Sequence, residues 1–179
     1  VAASGIVMAL QTVVSRNLPP LQTGIVSVGA FHSGDAANVL PESAELRLTV
    51  RSFRPEVRDL LQKRVTEIAQ SQAAVYGARA EVDYQRGYPA LHNDPGQTAF
   101  CRRVVHEWLG DAGLVADPEP VSASEDFAFF LQRVPGCYVF IGNGEGQEGG
   151  CMVHNPGYDF NDRILPVAAS YWVRLVERF

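Results

Sequence analysis

Residues 24–51 read GIVSVGAFHSGDAANVLPESAELRLTVR, and the predicted architecture starts from this stretch. Its beginning, IVSVGAF, is short and rich in β-branched residues, which predicts a strand over Gly24–Phe31. From Ala44 to Arg51, apolar residues alternate with polar ones. This alternation predicts a half-buried antiparallel strand. The stretch is therefore expected to form two strands joined by a loop over residues 32–42.

Predicted helices flank these two strands. Before them, apolar residues repeat at helical spacing from Ile6 onward until Asn17 and the prolines after it end the helix. After them, Pro55 suits a first helical turn, and apolar residues at helical spacing continue to Val75. Gly77 is the expected C-terminal stop of this second helix.

A third strand is predicted where Ala80, Val82 and Tyr84 alternate with polar residues. The order is then helix, strand, strand, helix, strand. One additional strand in front would complete the β-α-β-β-α-β ferredoxin-like motif. That strand is expected to lie upstream of Val1, because the sequence starts inside a helical pattern and has no initiator methionine.

The second half of the chain is predicted to be α/β. A helix over residues 100–109 ends at Gly110, a capping box at Ser122–Glu125 begins another helix, and a third helix follows Arg163. Val139–Gly142 has the composition of a buried strand. Because one strand cannot make a sheet, further chain is expected to complete this half.

Composition excludes several classes of function. The 179 residues are 46% apolar, enough for a hydrophobic core, and the formal net charge is −5 without a basic cluster. Nucleic acid and anionic membrane surfaces are therefore not expected partners. Cys101, Cys137 and Cys151 have no disulfide spacing and fit a reducing compartment. A cytoplasmic protein is expected, since no apolar run approaches the roughly 20 residues of a membrane span and no signal peptide is visible.

A loop over residues 149–162, GGCMVHNPGYDFND, carries the most prominent candidate for chemistry. It opens at Gly149, and its glycine and proline residues allow a fixed shape that exposes His154. His154 is a candidate metal ligand, with Asp159 or Asp162 as the acceptor for its second ring nitrogen. The simpler interpretation is a solvated loop histidine, because no HExxH or similar motif completes a metal site.

His32 and Asn38 lie in the loop between the first two predicted strands, and Arg51 ends the second strand. If the hairpin pairs, the loop and the strand could bring Asn38 and Arg51 together. A guanidinium beside an amide suits a carboxylate, because the planar guanidinium contacts both carboxylate oxygens. The alternative is that Arg51 is a solvated strand residue and Asn38 a turn former.

Two other arrangements have weaker support. Glu125 and Asp126 could act as a general acid or base, but a capping role at a helix N-terminus explains both. Cys151 and His154 have the C-x-x-H spacing of a thiol nucleophile or of half a zinc knuckle. Nothing in the sequence completes either of these sites.

Five stretches, taken in order, resemble the C-terminal half of the metal-dependent amidohydrolases and peptidases that include hippurate hydrolases, N-acyl-amino-acid hydrolases and indole-acetyl-amino-acid hydrolases. They are ALQTVVSR (9–16), HSGDAANVLPESAELRLTVRSF (32–53), GYPALHND (87–94), SEDFAFFLQRVPGCYVFIGNG (124–144) and HNPGYDFND (154–162). Together they extend over nearly the whole chain, and five matches in register are hard to obtain by chance.

The resemblance implies a fold in two parts and a set of site residues. Residues 1–86 would be a ferredoxin-like dimerisation lid that lacks its first strand, and residues 87–179 the C-terminal portion of an α/β catalytic domain. His154 would be the one ligand that this chain supplies to two divalent metal ions, whether zinc, manganese, cobalt or nickel. His32 would reach the partner subunit's active site and polarise the scissile carbonyl, while Asn38 and Arg51 would bind the substrate carboxylate.

The implied function is metal-dependent hydrolysis of the amide bond of N-acyl amino acids, such as hippurate, by a homodimer. The remaining metal ligands and the general base are expected upstream of Val1, so this chain alone is expected to be inactive. One alternative is a dipeptide or carbamoyl-amide hydrolase of the same broad family. Two others are a thiol hydrolase that uses Cys151 and a non-catalytic ferredoxin-like dimerisation or binding module.

Overall fold

The structure, a computed structural model, describes residues 1–144 and 150–179. Its elements in chain order are α1 (Ala2–Asn17), β1 (Gly24–His32), β2 (Glu45–Ser52), α2 (Pro55–Val75), α3 (Pro95–Leu109), α4 (Phe127–Leu131) and α5 (Leu165–Arg178). Short 3₁₀ turns lie at Asp111–Gly113 and Asp162–Ile164. In these two described ranges, none of the helices combines the length and the apolar character that a membrane span requires.

The chain divides into two compact units. Unit 1 contains Val1–Leu91 and Val121–Ala128, and unit 2 contains His92–Pro120 and Phe129–Phe179. The predicted mixture of helices and strands is confirmed. The predicted boundary between residues 86 and 87 refers to the domains of the intact protein and stays a prediction.

Unit 1 contains a β-hairpin. β1 and β2 pair antiparallel, with Gly24 opposite Ser52 and His32 opposite Glu45. The register shifts at Gly29, where one extra residue in β1 forms a β-bulge. Both predicted strands and their antiparallel pairing are confirmed.

Helices α1 and α2 pack together against the hairpin. Their contact forms a core of buried side chains, namely Ile6, Leu10, Val13, Val57, Leu61, Val65, Ala69 and Ala73. Strand residues pack against this core, namely Val26, Val28, Leu46 and Val50. The helical period of 3.6 residues and the strand period of 2 bring these side chains to one side of each element. The predicted apolar faces are confirmed for these side chains, whereas Ala44, Leu48 and Val75 stay at the surface.

The prediction of a third strand over Ala80–Tyr84 is wrong for this structure. Ala80 and Val82 pack against the core as the alternation requires. However, the segment is not a strand, and the sheet of the described residues consists of β1 and β2. Alternation determines which side chains face inward, whereas a strand also needs a neighbour for its backbone hydrogen bonds. The ferredoxin-like lid, which needs this strand and one before α1, remains a prediction.

In unit 2, helices α3 and α5 pack against each other. The helix predicted around residues 100–109 is α3, which begins with Pro95. The Asp94 carboxylate caps its N-terminus by accepting a hydrogen bond from Gln97 N at 2.9 Å. The helix ends at Gly110, whose φ of 67° favours glycine. The predicted closing helix is α5, where the Arg174 guanidinium lies 4.7 Å from the centre of the Trp108 ring.

Two local predictions are wrong. Val139–Gly142 is not a buried strand, since Val139, Phe140 and Ile141 are exposed and no strand of the described residues pairs with this segment. An apolar run becomes a buried strand only where neighbouring strands and a covering layer exist. Ser122 does not cap α4, because this helix begins at Phe127 and the Glu125 carboxylate accepts a hydrogen bond from Phe127 N at 3.3 Å.

The buried hydroxyl of Tyr171 is expected to make the stability of unit 2 fall at alkaline pH. This residue of α5 is buried, and burial is the main reason why the pKa of its hydroxyl is raised. The folded protein keeps this proton at pH values where the unfolded chain loses it. The free energy of unfolding should therefore fall as the pH rises above about 10, and less steeply in Tyr171→Phe. Denaturant unfolding at about pH 8 and about pH 10.5 measures the difference, and equal decreases in the two proteins would contradict the assignment.

Candidate functional site

The loop that carries His154 has a defined backbone. Asn155 N donates to Met152 O at 3.1 Å, and Tyr158 N donates to Asn155 O at 2.9 Å, so two turns follow each other. The Asn155 side chain also accepts a hydrogen bond from Gly157 N at 2.8 Å. Gly149, with which the predicted loop opens, lies outside the described residues.

His154 has an unusual conformation within this loop. Its φ is 71°, in the left-handed region that residues other than glycine seldom adopt, and its side chain is exposed. A left-handed histidine persists only where the surrounding structure enforces it, and such conformations concentrate at functional sites. The loop therefore presents an imidazole to solvent from a backbone that is held against its own preference.

Asn143 and Asn161 close the base of the His154 loop. The Asn143 amide donates to Asp159 O at 3.0 Å and accepts from Asn161 N at 2.9 Å. The Asn161 amide donates to Asn143 O at 3.0 Å and accepts from Arg163 N at 3.1 Å. These bonds fix both ends of the loop relative to each other.

Asn143 and Asn161 are not among the candidate residues that the sequence predicts. An asparagine before glycine and an asparagine before a helix start are available signals for them, but neither pattern predicts that the two side chains meet. Asp159 contributes its backbone carbonyl to this cluster. The role of Asp159 or Asp162 as the acceptor for His154 stays a prediction.

The described residues do not form a metal site by themselves. Nowhere in residues 1–144 and 150–179 do three or more His, Cys, Asp or Glu side chains meet in a way that could hold a metal ion. Divalent metal sites in enzymes use several such ligands. His154 can contribute at most one ligand of a larger set.

His32 and Asn38 lie at the loop end of the hairpin. His32 ends β1 opposite Glu45, and Asn38 lies in the connecting loop, where both side chains are exposed. Ser33 Oγ donates to Ser43 O at 3.2 Å and closes the base of that loop. The pKa of Glu45 is lowered, mainly by its hydrogen bond with Arg47 and to a smaller extent by the nearby His32.

Arg51 lies at the opposite end of the hairpin. It pairs with Ile25 near the start of β1, and its side chain is half-buried. Its guanidinium Nη1 donates to Ser122 O at 2.6 Å. Arg51 is therefore not the solvated strand residue of the simpler interpretation. No pattern in the sequence predicts its contact with Ser122, which lies 71 positions away.

Pairing of the hairpin does not by itself bring Asn38 and Arg51 together, because Asn38 lies in the connecting loop and Arg51 near the other end of β2. Arg51 lies six residues along β2 from Glu45, the residue where the loop of Asn38 joins the strand. At about 3.3 Å per residue, this separation is roughly 20 Å. Antiparallel pairing itself causes the separation, because it puts the connecting loop at one end of the hairpin and Arg51 at the other.

Comparison with known proteins reveals extensive similarity. Residues 5–178 match Peptidase family M20/M25/M40. A hippurate hydrolase of Campylobacter jejuni is 33% identical over 178 residues, which are 99% of this chain and 45% of that protein. An N-acetyl-L-cysteine deacetylase of Bacillus subtilis is 35% identical over 174 residues, which are 97% of this chain and 40% of that protein.

A solved structure shows the same fold. The crystal structure of a dinuclear metal-binding peptidase of the M20 family from Bacillus subtilis superimposes with a TM-score of 0.72 at 27% identity, over 97% of this chain and 44% of that one. The chain thus spans less than half the length of the relatives that it matches.

Proposed function

This chain belongs to Peptidase family M20/M25/M40, and on that premise we propose that it is part of a metal-dependent amidohydrolase that cleaves the amide bond of N-acyl amino acids. The observation that carries the proposal is the exposed, left-handed His154 in a loop closed by Asn143 and Asn161. The names of the Campylobacter and Bacillus relatives support the substrate class, since hippurate and N-acetylcysteine are both N-acyl amino acids.

His154 is proposed as the metal ligand that this chain supplies. The dinuclear metal binding of the solved Bacillus peptidase supports divalent metals, and zinc, manganese, cobalt and nickel all accept imidazole ligands. Such metals supply Lewis acidity and an activated water when bound. The chain's own contribution is to hold one imidazole at a fixed position and orientation.

His32 is proposed to act as a hydrogen-bond donor to the scissile carbonyl. A donor that is directed at the oxygen where negative charge develops stabilises the transition state. Its exposed position at the loop end of the hairpin makes it accessible to a second subunit. We therefore propose a homodimer in which His32 of each subunit donates its hydrogen bond in the active site of the partner subunit.

Arg51 and Glu45, the residue at which the loop of Asn38 joins β2, are about 20 Å apart along the strand. This supports a proposed carboxylate site that is divided between subunits, because a symmetric dimer can combine the loop end of one hairpin with the Arg51 end of the other. Each active site would then receive Arg51 from one chain and His32 and Asn38 from its partner. The Ser122 carbonyl engages one of the five guanidinium N–H groups of Arg51 and would orient the others.

The experiment that tests the proposed function is hydrolysis by the intact gene product. The protein is reconstituted with manganese or zinc and assayed with hippurate and several N-acetyl amino acids, with and without a chelator. We expect turnover that depends on the metal. No turnover of any of these substrates with either metal would reject the amidohydrolase and leave the non-catalytic binding module.

Arg51→Ala tests the proposed recognition of the substrate carboxylate. Because charge-assisted hydrogen bonds contribute about 1.5–3 kcal/mol, we expect kcat/KM for hippurate to fall roughly 10- to 100-fold. The neutral amide of hippurate lacks the carboxylate, so its turnover should change far less. Arg54→Ala, an exposed arginine three residues along the chain, is the matched control. Equal losses for the acid and the amide would contradict carboxylate recognition by Arg51.

A further inference from the structure

Two of the three cysteines, Cys101 and Cys137, lie near one another in unit 2. Cys101 is on α3, and Cys137 is in the segment that precedes Tyr138. The Thr98 hydroxyl, one helical turn before Cys101, lies 3.6 Å from Cys137 Sγ. Thr98 and Cys101 lie on the same face of α3, so Cys137 lies next to the part of the helix that carries Cys101. Both cysteines are half-buried free thiols.

Backbone hydrogen bonds hold Cys137 in this position from both sides. Asp94 N donates to Gly136 O at 2.9 Å on one side. On the other side, the Asn93 amide donates to Tyr138 O at 2.9 Å and accepts from Tyr138 N at 2.8 Å. Because residues 93 and 94 lead directly into α3, Cys137 is fixed against the helix turn that carries Cys101.

Tyr171 completes the surroundings of the two thiols. It lies on α5, which packs against α3, the helix that carries Cys101. Burial and the interaction with Cys101 raise the pKa of Tyr171, and burial is likewise the main cause of the raised pKa of Cys137.

We propose that Cys101 and Cys137 form a reversible disulfide when the protein meets hydrogen peroxide. In the first step, Cys101 Sγ attacks one peroxide oxygen, the S–O bond forms, the O–O bond breaks, and the leaving hydroxide takes the thiol proton as water. In the second step, Cys137 Sγ attacks the Cys101 sulfur, the S–S bond forms, and the sulfenic oxygen leaves with the Cys137 proton as water. Two thiols and one peroxide give one disulfide and two waters, and a dithiol reductant reverses the reaction.

The disulfide would connect α3 to the segment after α4. Closing a long loop restricts the unfolded chain, so the oxidised protein should be more stable than the reduced one. We expect its Tm to be higher by roughly 5 °C or more. This inference does not depend on the proposed hydrolase function, and a protein without hydrolase activity can still show the cross-link.

The test uses the intact gene product, reduced and then treated with hydrogen peroxide. Remaining thiols are alkylated, and peptide mass mapping identifies the cross-link. We expect a Cys101–Cys137 peptide pair that dithiothreitol removes, together with the higher Tm. Cys101→Ser and Cys137→Ser should abolish this pair, and Cys151→Ser, the matched control at the third half-buried cysteine, should leave it unchanged.

Mapping of the wild-type protein gives an answer even if a variant does not fold. A cross-link that joins Cys151 to either residue would overturn the proposal. So would oxidation of Cys101 and Cys137 to sulfinic acids without a cross-link. A cross-link that forms only after thermal unfolding would show that the folded geometry does not permit it, and would overturn the proposal as well.

Discussion

Replacing His154 with alanine is expected to lower kcat/KM for hippurate by about 10³-fold or more in the intact gene product. The physical reason is that residues 1–144 and 150–179 contain no cluster of His, Cys, Asp or Glu side chains that could hold the metal in place of His154. The variant should also bind less metal after dialysis, which atomic absorption measures independently of activity. Wild-type activity in His154→Ala would show that the histidine is a solvated loop residue.

The left-handed φ of His154 requires a second variant. Alanine disfavours a φ of 71°, so the loss in His154→Ala could arise from an altered loop instead of a lost ligand. His154→Gly relieves the backbone strain and still removes the imidazole. If the imidazole is the ligand, both variants are inactive, and an active glycine variant would assign His154 a purely conformational role. Met152→Ala, at an exposed position in the same loop, should keep activity.

Two impaired variants are expected to restore one complete active site when they form a mixed dimer. His32→Ala should lower kcat about 10²- to 10³-fold, as loss of a donor to the developing oxyanion does, and Arg51→Ala should be impaired on hippurate. In the mixed dimer, one active site lacks both residues and the other has both. A mixed dimer purified through two different tags should therefore show about half of the wild-type activity.

A second pair of variants provides the matched control for this experiment. His32 and Asn38 lie at the same end of the hairpin, so both would serve the same active site. A mixed dimer of His32→Ala and Asn38→Ala then lacks one residue in each site and should stay impaired. Recovery in this control, or none in the His32 and Arg51 pair, would contradict the division of the site between subunits.

The predictions from sequence were most reliable where a local rule determines the structure. The C-terminal end of α3 is an example, because Gly110 adopts a φ of 67° that glycine tolerates best and the helix ends there. The start of α3 at Pro95 lies five residues before the predicted one. Predictions failed for segments that form a strand only when another strand pairs with them. Ala80–Tyr84 and Val139–Gly142 both have strand-like patterns, but pairing depends on a neighbouring strand that the pattern of a segment cannot reveal.

The candidate residues show the same limit. The sequence identified His32, Asn38, Arg51 and His154 by residue type and by resemblance, since the chemistry of a side chain is written in the sequence. It did not reveal the left-handed backbone of His154 or the asparagine cluster that closes its loop. The asparagine cluster arises from contacts between residues that are 16 to 18 positions apart, and no local pattern encodes them.

The sequence by itself determined the helices, the hairpin, the family and the residue types available for chemistry, because periodicity, turn residues and motif order are local properties of the chain. Only the tertiary structure decided which groups share a location. It put Arg51 at the end of the hairpin opposite the connecting loop that contains Asn38, and it brought Cys137 beside Thr98, one helical turn before Cys101. The reason is that the distance between side chains depends on how elements pair and pack, and pairing is a property of the whole fold.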